Sequence, residues 1–382
     1  MSVLLIVERN LHNEMGHLPG QIRAISQFSS AESIHVVTWS GTEKLPLSAQ
    51  PDRQPERIRL HSVLVSSREV GKPTDPESLA KTEAQILTRI ASEAGASISD
   101  TIVMPSAITH DLRVALEVAA SDGPRIVARV LALTFFETLS TAEIDALRTH
   151  QKTGRIHLSC ETEEFCEAVR DQFDLVCPAD FVLPCNVLPN DSVPDRVPSD
   201  TFRVGMLGGP RGEKGSYRVS AIVRSIAAHS RKMQNPSQVT LVVQTSLGLR
   251  MRTLSMLWPL LKAKLSSGNP RIEIIWGAQS KEDFRSTLFG LDCILLPYRL
   301  DRYATSGSGM IIDAVNAAIP IIRTRGMAMS KLMSFGNSLA VTTDDEIATA
   351  ILDMAADPDP FVEAAKHART ALQARVSQLP FQ

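Results

Sequence analysis

The sequence has few aromatic residues and lacks several patterns that would assign it to a common class of protein. Only 5% of its residues are Phe, Trp or Tyr, which argues against the aromatic stacking surfaces that bind single-stranded nucleic acid. The best apolar run, residues 126–139, is interrupted by Arg129 and is not a membrane span. The apolar start at residues 2–8 has no basic segment before it and no small-residue cleavage site after it, which favours a buried strand over a signal peptide. We therefore expect a cytoplasmic protein that binds no nucleic acid.

Patterns for metal binding are also missing. The five cysteines are odd in number and include no Cys-x-x-Cys pair, so idle thiols in a reducing compartment are the simplest interpretation. The spacings from Cys160 to Cys185 fit no zinc pattern. The single Asp-x-Asp motif, at residues 357–359, lies between two predicted helices and suits a turn and helix cap. We expect no metal and no other cofactor.

What the chain does contain is a regular alternation of predicted strands and helices in each half. The series starts with a strand at residues 3–7 and ends with a helix at 359–376, and it includes a strand at 101–105 and helices at 249–265 and 329–335. Alternation of this kind predicts parallel, doubly wound sheets, and 382 residues suit two domains. The predicted fold class is therefore α/β with two Rossmann-like domains.

A change in composition marks the expected boundary between these domains. Residues 184–200 hold four prolines and three aspartates, as a linker does. We place an N-terminal domain at 1–190 and a C-terminal domain at 200–358, with the C-terminal helix at 359–382 returning to the first. The net charge is −2, but residues 1–190 carry 17 basic and 25 acidic residues, whereas 191–382 carry 23 and 17. A basic second half suits an anionic ligand, although solvated surface charges give the same imbalance.

Two segments of the second half have the residue types of an anion site. The first, residues 204–215, runs from a strand into a glycine-rich turn with Gly209, Arg211 and Lys214. Glycines let backbone N–H groups approach a phosphate closely, and the two cations add charge. The spacing fits neither a Walker loop nor Gly-x-Gly-x-x-Gly, and a plain surface turn has the same residues.

The second segment joins a strand ending at Pro297 to a helix that begins near Gly309. Its basic loop contains Arg299 and Arg302. The free N–H groups and the positive dipole end of the helix predict an anion site, although a plain helix cap uses the same residue types. The anion ligands predicted here are Arg299, Thr305, Ser306, Gly307, Ser308 and Gly309.

Together these segments resemble the C-terminal domain of GT-B glycosyltransferases, specifically the retaining, family-4-like group of bacterial polysaccharide-type enzymes. That family has a Gly/Arg…Lys-Gly turn at the start of the domain, and later a strand ending in proline, a Glu-x7-Glu motif and a Pro-x-Ile strand. Thr305 and Asp313 stand at the two Glu positions, and Pro320-Ile-Ile matches the last strand. The resemblance implies that the anion ligands hold the donor diphosphate and that Asp313 binds the ribose.

The first half resembles the same family in outline. Leu188-Pro-Asn190 is similar to the family's exit into the linker, and Gly16 and Gly20 lie where the family has its glycine-rich donor/acceptor loop. The catalytic histidine that the family has after a middle strand is missing, and the candidates for its role are His17, His110 and Arg129. Two further departures concern the donor site: Thr305 replaces the first Glu, and Arg211 has to substitute for an arginine that would fall at 208 or 209.

The resemblance implies a glycosyltransferase of the hexosyltransferase type. It would move a sugar from a nucleoside-diphosphate sugar to a saccharide or lipid-linked acceptor, with retention and without a metal, in surface polysaccharide synthesis. Peripheral contact with the cytoplasmic face of the inner membrane is compatible with such an acceptor. The departures keep open a non-catalytic GT-B-like protein that binds a nucleotide sugar or a partner enzyme. A two-domain small-molecule sensor and an epimerase of this fold are further alternatives, and turnover of a donor distinguishes the enzyme from the binding proteins.

Overall fold

The structure is a computed structural model that describes residues 2–11, 18–44, 55–70, 75–184, 186–187, 193, 199–209, 211–245 and 268–382. The chain divides into two compact units: one comprises Met1–Cys185 and Arg375–Gln382, and the other comprises Asn186–Ala374. Four sequence-based expectations lie outside the described residues, namely those at Gly16, His17, residues 188–190 and the helix at 249–265. Most of the predicted linker lies outside them as well.

The first unit is built on a six-stranded sheet. In chain order its strands are β1 Val3–Glu8, β2 Ser33–Trp39, β3 Ile58–Leu64, β4 Thr101–Ala107, β5 Arg125–Val130 and β6 Ile156–Ser159. All neighbouring strands are parallel, in the order β3-β2-β1-β4-β5-β6. Helices cover a parallel sheet on both faces, which is why β1 and β4 are almost continuously apolar.

The helices described in this unit are capped by polar side chains in three cases. They are α1 Leu18–Phe28, α2 Ser67–Val70, α3 Pro76–Glu93, α4 Thr109–Ala119, α5 Thr134–Glu137, α6 Thr141–Lys152 and α7 Glu163–Phe173. Asp75 caps α3, Thr162 caps α7, and Ser140 forms a reciprocal capping box with Glu143 at α6. Each cap provides an acceptor for an N–H group that the helix itself leaves unpaired.

The C-terminal residues complete the first unit. The Arg125 guanidinium donates to the Pro380 carbonyl at 2.8 Å, and the Phe381 ring packs on Phe181 with centroids 5.3 Å apart. The Arg375 guanidinium donates to the Glu163 carboxylate at 3.1 Å. The unit is therefore assembled from two parts of the chain that are far apart in sequence.

The second unit repeats the same sheet order. Its strands are β7 Phe202–Met206, β8 Val239–Thr245, β9 Arg271–Trp276, β10 Cys293–Leu296, β11 Ile321–Thr324 and β12 Ser338–Val341. They are parallel and ordered β12-β11-β10-β7-β8-β9. Its described helices are α8 Val219–Ser230, α9 Lys281–Phe289, α10 Leu300–Tyr303, α11 Gly309–Asn316, α12 Asp344–Ala356 and α13 Asp359–Val376. The two sheets confirm the predicted α/β class with two Rossmann-like units.

Three local predictions differ from the structure. The expected helix at 329–335 is a single 3-10 turn, Ser330–Met333, because Met329 before it has a left-handed backbone with φ of 68°. Strand β4 continues past Pro105 to Ala107, after an irregularity in its pairing with β5 that accommodates the missing N–H group. Gly20 lies in the first turn of α1 rather than in a loop. Among the described residues, no helix combines the length and the apolar character needed to cross a bilayer.

Candidate functional site

The second unit has a topological switch point between β7 and β10. From β7 the chain continues through β8 and β9 on one side, and it then returns to β10 and continues to β12 on the other side. The connections therefore diverge at this point, and ligands of doubly wound sheets bind in the crevice at the carboxyl ends of the diverging strands. The loops after β7 and β10 are the two segments that the sequence singles out.

The loop after β7 needs its glycines. Gly208 and Gly209 have φ angles of 95° and 77°, and Gly215 has 74°, all in the left-handed region that favours glycine. A Cβ atom on Gly215 would lie 2.2 Å from the carbonyl oxygen of Pro297, which follows β10. The N–H group of Arg299 donates to the Glu213 carbonyl at 2.9 Å. The two loops are therefore pressed together at the switch point.

Lys214 is the partly buried cation of this site. Its Nζ lies 3.5 Å from the carbonyl oxygen of Gly208 and 5.5 Å from the centre of the Tyr298 ring, as in a cation–π contact. Burial and the positive charge of Arg211 lower the pKa of Lys214 to about 8, against the opposing effect of Glu213 and Asp313. Partial removal from water destabilises the charged form of Lys214 relative to the neutral form. An anion beside Nζ would stabilise the charged form again.

The start of α11 adds unpaired donors. Ser308 is its N-cap residue but makes no side-chain cap, and its N–H group donates only to the Met329 sulfur at 3.3 Å, which is a weak acceptor. Within the described residues, the N–H groups of Gly309 and Met310 have no hydrogen-bond partner. An eight-residue helix with free N–H groups attracts negative charge at this end.

Tyr298 lies beneath Lys214 and is only 3% exposed. Burial raises the pKa of its hydroxyl, and the nearby Ser308 side chain opposes that shift. A cavity of about 20 Å³, lined by Gly209, Lys214, Gln244 and Tyr298 among others, lies here and has room for one water molecule.

The predicted arginines lie at the surface of these loops. Arg299 is 53% exposed and pairs with Asp301 at 2.6 Å, and Arg211 is 56% exposed and lies 3.5 Å from Glu213. Arg302 is exposed on α10. The structure therefore brings Lys214, Gly209 and residues 305–309 together around the switch point, and the long arginine side chains lie around them. Their contacts with a diphosphate stay a prediction.

Asp313 is 2% exposed and is occupied by contacts within the protein. Its carboxylate accepts hydrogen bonds from the Asn186 side chain at 2.7 Å, from the Asn186 N–H group at 3.2 Å and from the Val187 N–H group at 3.3 Å. Burial raises the pKa of Asp313 to about 6, although these three bonds oppose the shift. The carboxylate anchors residues 186–187 to α11, and its predicted contact with a ribose stays a prediction.

Two of the predicted catalytic side chains are buried in the first unit. His110 is 3% exposed and hydrogen-bonds the Glu83 carboxylate at 2.9 Å. Glu83 also pairs with Arg9 at 2.9 Å, and Arg9 pairs with Asp111 at 2.6 Å. The four side chains form one buried hydrogen-bonded cluster.

Arg129 is the other buried candidate, 1% exposed on β5. It donates to the Glu161 carboxylate at 2.8 Å and to the Pro105 carbonyl at 2.6 Å, and it lies over the Phe181 ring at 5.1 Å. The contacts of His110 and those of Arg129 hold both side chains in place inside the first unit. The catalytic roles of His110, Arg129 and His17 stay predictions.

Two residues of the second-unit site, Gln244 and Tyr298, belong to no motif that the sequence shows. Gln244, near the end of β8, hydrogen-bonds the N–H group of Gly208 at 2.8 Å. Tyr298 supports Lys214 from below. Each of them stands at or just after the carboxyl end of a strand next to the switch point, and this position is the signal that could have identified them.

Comparison with known proteins yields structural relatives only: no family model and no curated protein sequence matches the chain. An E. coli trehalose-6-phosphate protein bound with UDP-2-fluoro glucose superposes with a TM-score of 0.65 at 12% identity, over 98% of this chain and 96% of that one. A glycosyltransferase from Rickettsia africae gives 0.65 at 10% identity, over 100% and 94%. HepE of Anabaena, in complex with UDP and glucose, gives 0.60 at 11% identity, over 98% and 96%. At these identities the likeness concerns architecture, and the chain has the fold of the GT-B glycosyltransferases.

Proposed function

We propose that this protein is a glycosyltransferase that takes its sugar from a nucleoside-diphosphate sugar bound at the second-unit switch point. The observation that carries the proposal is the pairing of a partly buried ammonium, Lys214, with N–H groups at the start of α11 that no described residue accepts from. Both are hydrogen-bond donors at the place where this fold binds ligands. Relatives of the same architecture are described in complex with UDP or a UDP-sugar, which supports the same ligand class here.

The chemistry that these groups support is departure of a diphosphate. Cleavage of the bond between the sugar and the diphosphate leaves negative charge on the β-phosphate. Lys214 and the N–H groups of Gly309 and Met310 would stabilise that charge more in the transition state than in the ground state. We propose that transfer proceeds with retention and without a metal, to a saccharide or lipid-linked acceptor, in surface polysaccharide synthesis.

Binding of UDP and GDP to the Lys214→Ala variant tests the site. We expect the variant to bind the preferred nucleotide about 1.5–3 kcal/mol more weakly in calorimetry, the range for a hydrogen bond to a charged group. Because the pKa of Lys214 is about 8, wild-type affinity should decrease as the pH rises through that value. Lys214→Arg keeps its charge at high pH and should remove that decrease. Equal affinities of wild type and Lys214→Ala would contradict the assignment.

A non-catalytic protein that binds a nucleotide sugar would have the same diphosphate site. The observation that favours it is Thr305 in place of the acidic residue that the resembling family has beside the donor sugar. Release of UDP or GDP from a panel of their sugar conjugates, with saccharide acceptors present, decides between the two functions. Release that depends on Lys214 identifies an enzyme, whereas binding without release identifies the non-catalytic protein.

A further inference from the structure

Gln244 joins two loops at the carboxyl edge of the second sheet. Its side-chain oxygen accepts a hydrogen bond from the Gly208 N–H group at 2.8 Å, and its side-chain nitrogen donates to the Gly277 carbonyl at 3.0 Å. Gly208 belongs to the glycine turn after β7, whereas Gly277 directly follows β9. Gln244 lies on β8, between β7 and β9. Its side-chain amide therefore links the loop after β7 to the loop after β9.

The backbone of the loop after β7 and that of the loop after β9 both need hydrogen bonds to keep one conformation. Gly208 has a φ of 95° and Gly277 a φ of 79°, so both adopt conformations that glycine enters and leaves easily. Gly277 has a second anchor, since its N–H group donates to the Thr245 carbonyl at 2.7 Å. Gly208 N–H is instead held by Gln244. The direction of the following peptide, which carries the Gly209 N–H group, therefore depends on the Gln244 side chain.

We infer that Gln244 is a positioning residue for the nucleotide: its amide fixes the glycine turn so that the Gly209 N–H group and the Lys214 ammonium meet the same diphosphate. The inference rests on the proposed function, because it concerns the same site. Gln244, Gly209 and Lys214 line one small cavity. Lys214 in turn reaches the Gly208 carbonyl at 3.5 Å, so a change in the turn would move the ammonium as well.

The two partners of this side chain need one acceptor and one donor, which an amide provides at every pH. Gly208 N–H needs an acceptor and the Gly277 carbonyl needs a donor, whereas a carboxylate offers acceptors alone. Gln244→Glu therefore sets two oxygen atoms against each other at Gly277 and adds negative charge beside the diphosphate. A protonated Glu has one donor and one acceptor and reproduces the wild-type pattern. The variant consequently has a defect that protonation repairs.

The test measures dissociation constants for UDP and GDP by calorimetry, for wild type and Gln244→Glu, at about pH 8 and about pH 5. Dividing the dissociation constant of the variant by that of wild type at the same pH cancels the effect of the nucleotide's own titration. We expect a ratio of about 30 or more at the higher pH, from loss of the turn and charge repulsion. At the lower pH the ratio should fall at least about fivefold, because protonation of the carboxyl restores a donor toward the Gly277 carbonyl; that carbonyl and a bound diphosphate favour protonation, whereas the Lys214 ammonium, which lines the same cavity, opposes it.

A matched control lies at the other end of the same strand. Gln238 directly precedes β8, and its amide donates to the Asn269 side chain at 3.2 Å. Gln238→Glu makes the same chemical change about 20 Å from Gln244, and its affinity should stay within about twofold of wild type at both pH values. Gln244→Ala adds no charge and should weaken binding by about threefold to tenfold at both, with thermal melting to confirm that each variant folds.

Two results would overturn the inference. The first is a ratio near 1 for Gln244→Glu at the higher pH, and the second is a weakened affinity that does not recover at the lower pH, as a purely structural defect would give. If wild type binds neither nucleotide, the proposed function fails and this inference fails with it. Wild-type binding that Gln244→Glu leaves unchanged removes only the role of Gln244, so the two failures are distinguishable.

Discussion

Burial decides the charge state of several single residues in this protein. It lowers the pKa of Lys214 to about 8 and raises the pKa of Glu8, at the end of β1, to about 7. Glu83 shows the opposite balance: although burial raises its pKa, hydrogen bonds from His110 and Arg9 lower it to about 2. The difference lies in the partners: hydrogen bonds from Ser106 and the Asn10 N–H group lower the pKa of Glu8 less than burial raises it, whereas Glu83 also faces the Arg9 guanidinium.

Glu8→Gln should make the protein less sensitive to rising pH. The ordinary pKa of this carboxyl is 4.5 and the folded value is about 7, so the folded state binds the proton more tightly than the unfolded state. Its contribution to stability is complete below about pH 4.5 and is lost as the pH rises through about 7. We expect Glu8→Gln to exceed wild type in free energy of unfolding by about 1–3 kcal/mol at pH 8, and to match it near pH 4.5.

Urea unfolding at both pH values measures the effect of Glu8→Gln. Glu32→Gln changes an exposed carboxyl of the same unit and serves as the control, with little change expected at either pH. A difference between Glu8→Gln and wild type that is the same at both pH values would show that the residue does not titrate as the structure indicates.

At the scale of elements, the glycine turn after β7 combines two steric requirements at one position. Gly215 has a φ of 74° and its Cβ position is filled by the Pro297 carbonyl, whereas Gly212, three residues earlier, has open space at its Cβ position. Gly215→Ala should therefore lower the free energy of unfolding by about 2 kcal/mol or more and weaken UDP binding. Gly212→Ala should change neither by a measurable amount. Thermal melting and calorimetry on the pair check this, and equal behaviour of the two variants would contradict it.

The elements were largely predictable from the sequence, but the contacts of the site were not. Periodicity placed α13 at its observed bounds, Asp359–Val376, because hydrophobic spacing is a local property. Gln244 escaped notice because its partners, Gly208 and Gly277, are 36 and 33 residues away and belong to irregular turns. For Asp313 the family resemblance implied a ribose, whereas its observed partners, Asn186 and Val187, lie more than 120 residues earlier in the chain.

For the whole molecule, the topology followed from the alternation of elements, since strands linked by helices form parallel sheets with few permitted orders. Both sheets have the order that doubly wound folds commonly adopt. The division at Arg375 rests on contacts that no local pattern encodes. Arg125 with Pro380 and Phe181 with Phe381 join residues about 200 or more positions apart.

Phe381→Ala tests how much the C-terminal residues stabilise the first unit. Phe381 is 5% exposed and packs on Phe181, so the change leaves a cavity in that contact. We expect the free energy of unfolding to fall by about 3 kcal/mol, the usual loss for a buried aromatic side chain. Thermal or urea unfolding measures it, and Gln378→Ala, at an exposed position of the same segment, should leave it unchanged. A loss below about 1 kcal/mol would mean that this segment adds little to the unit.

The composition of the first unit also has a consequence for how the protein is made. Domains generally fold as units, starting with the N-terminal one while synthesis continues. Here the first unit includes residues 375–382, which leave the ribosome only after the whole second unit has been translated. Until then the contact surfaces of Arg125 and Phe181 for this segment stay uncovered. Chaperones that bind exposed apolar surface have their longest opportunity to act on this chain during that interval.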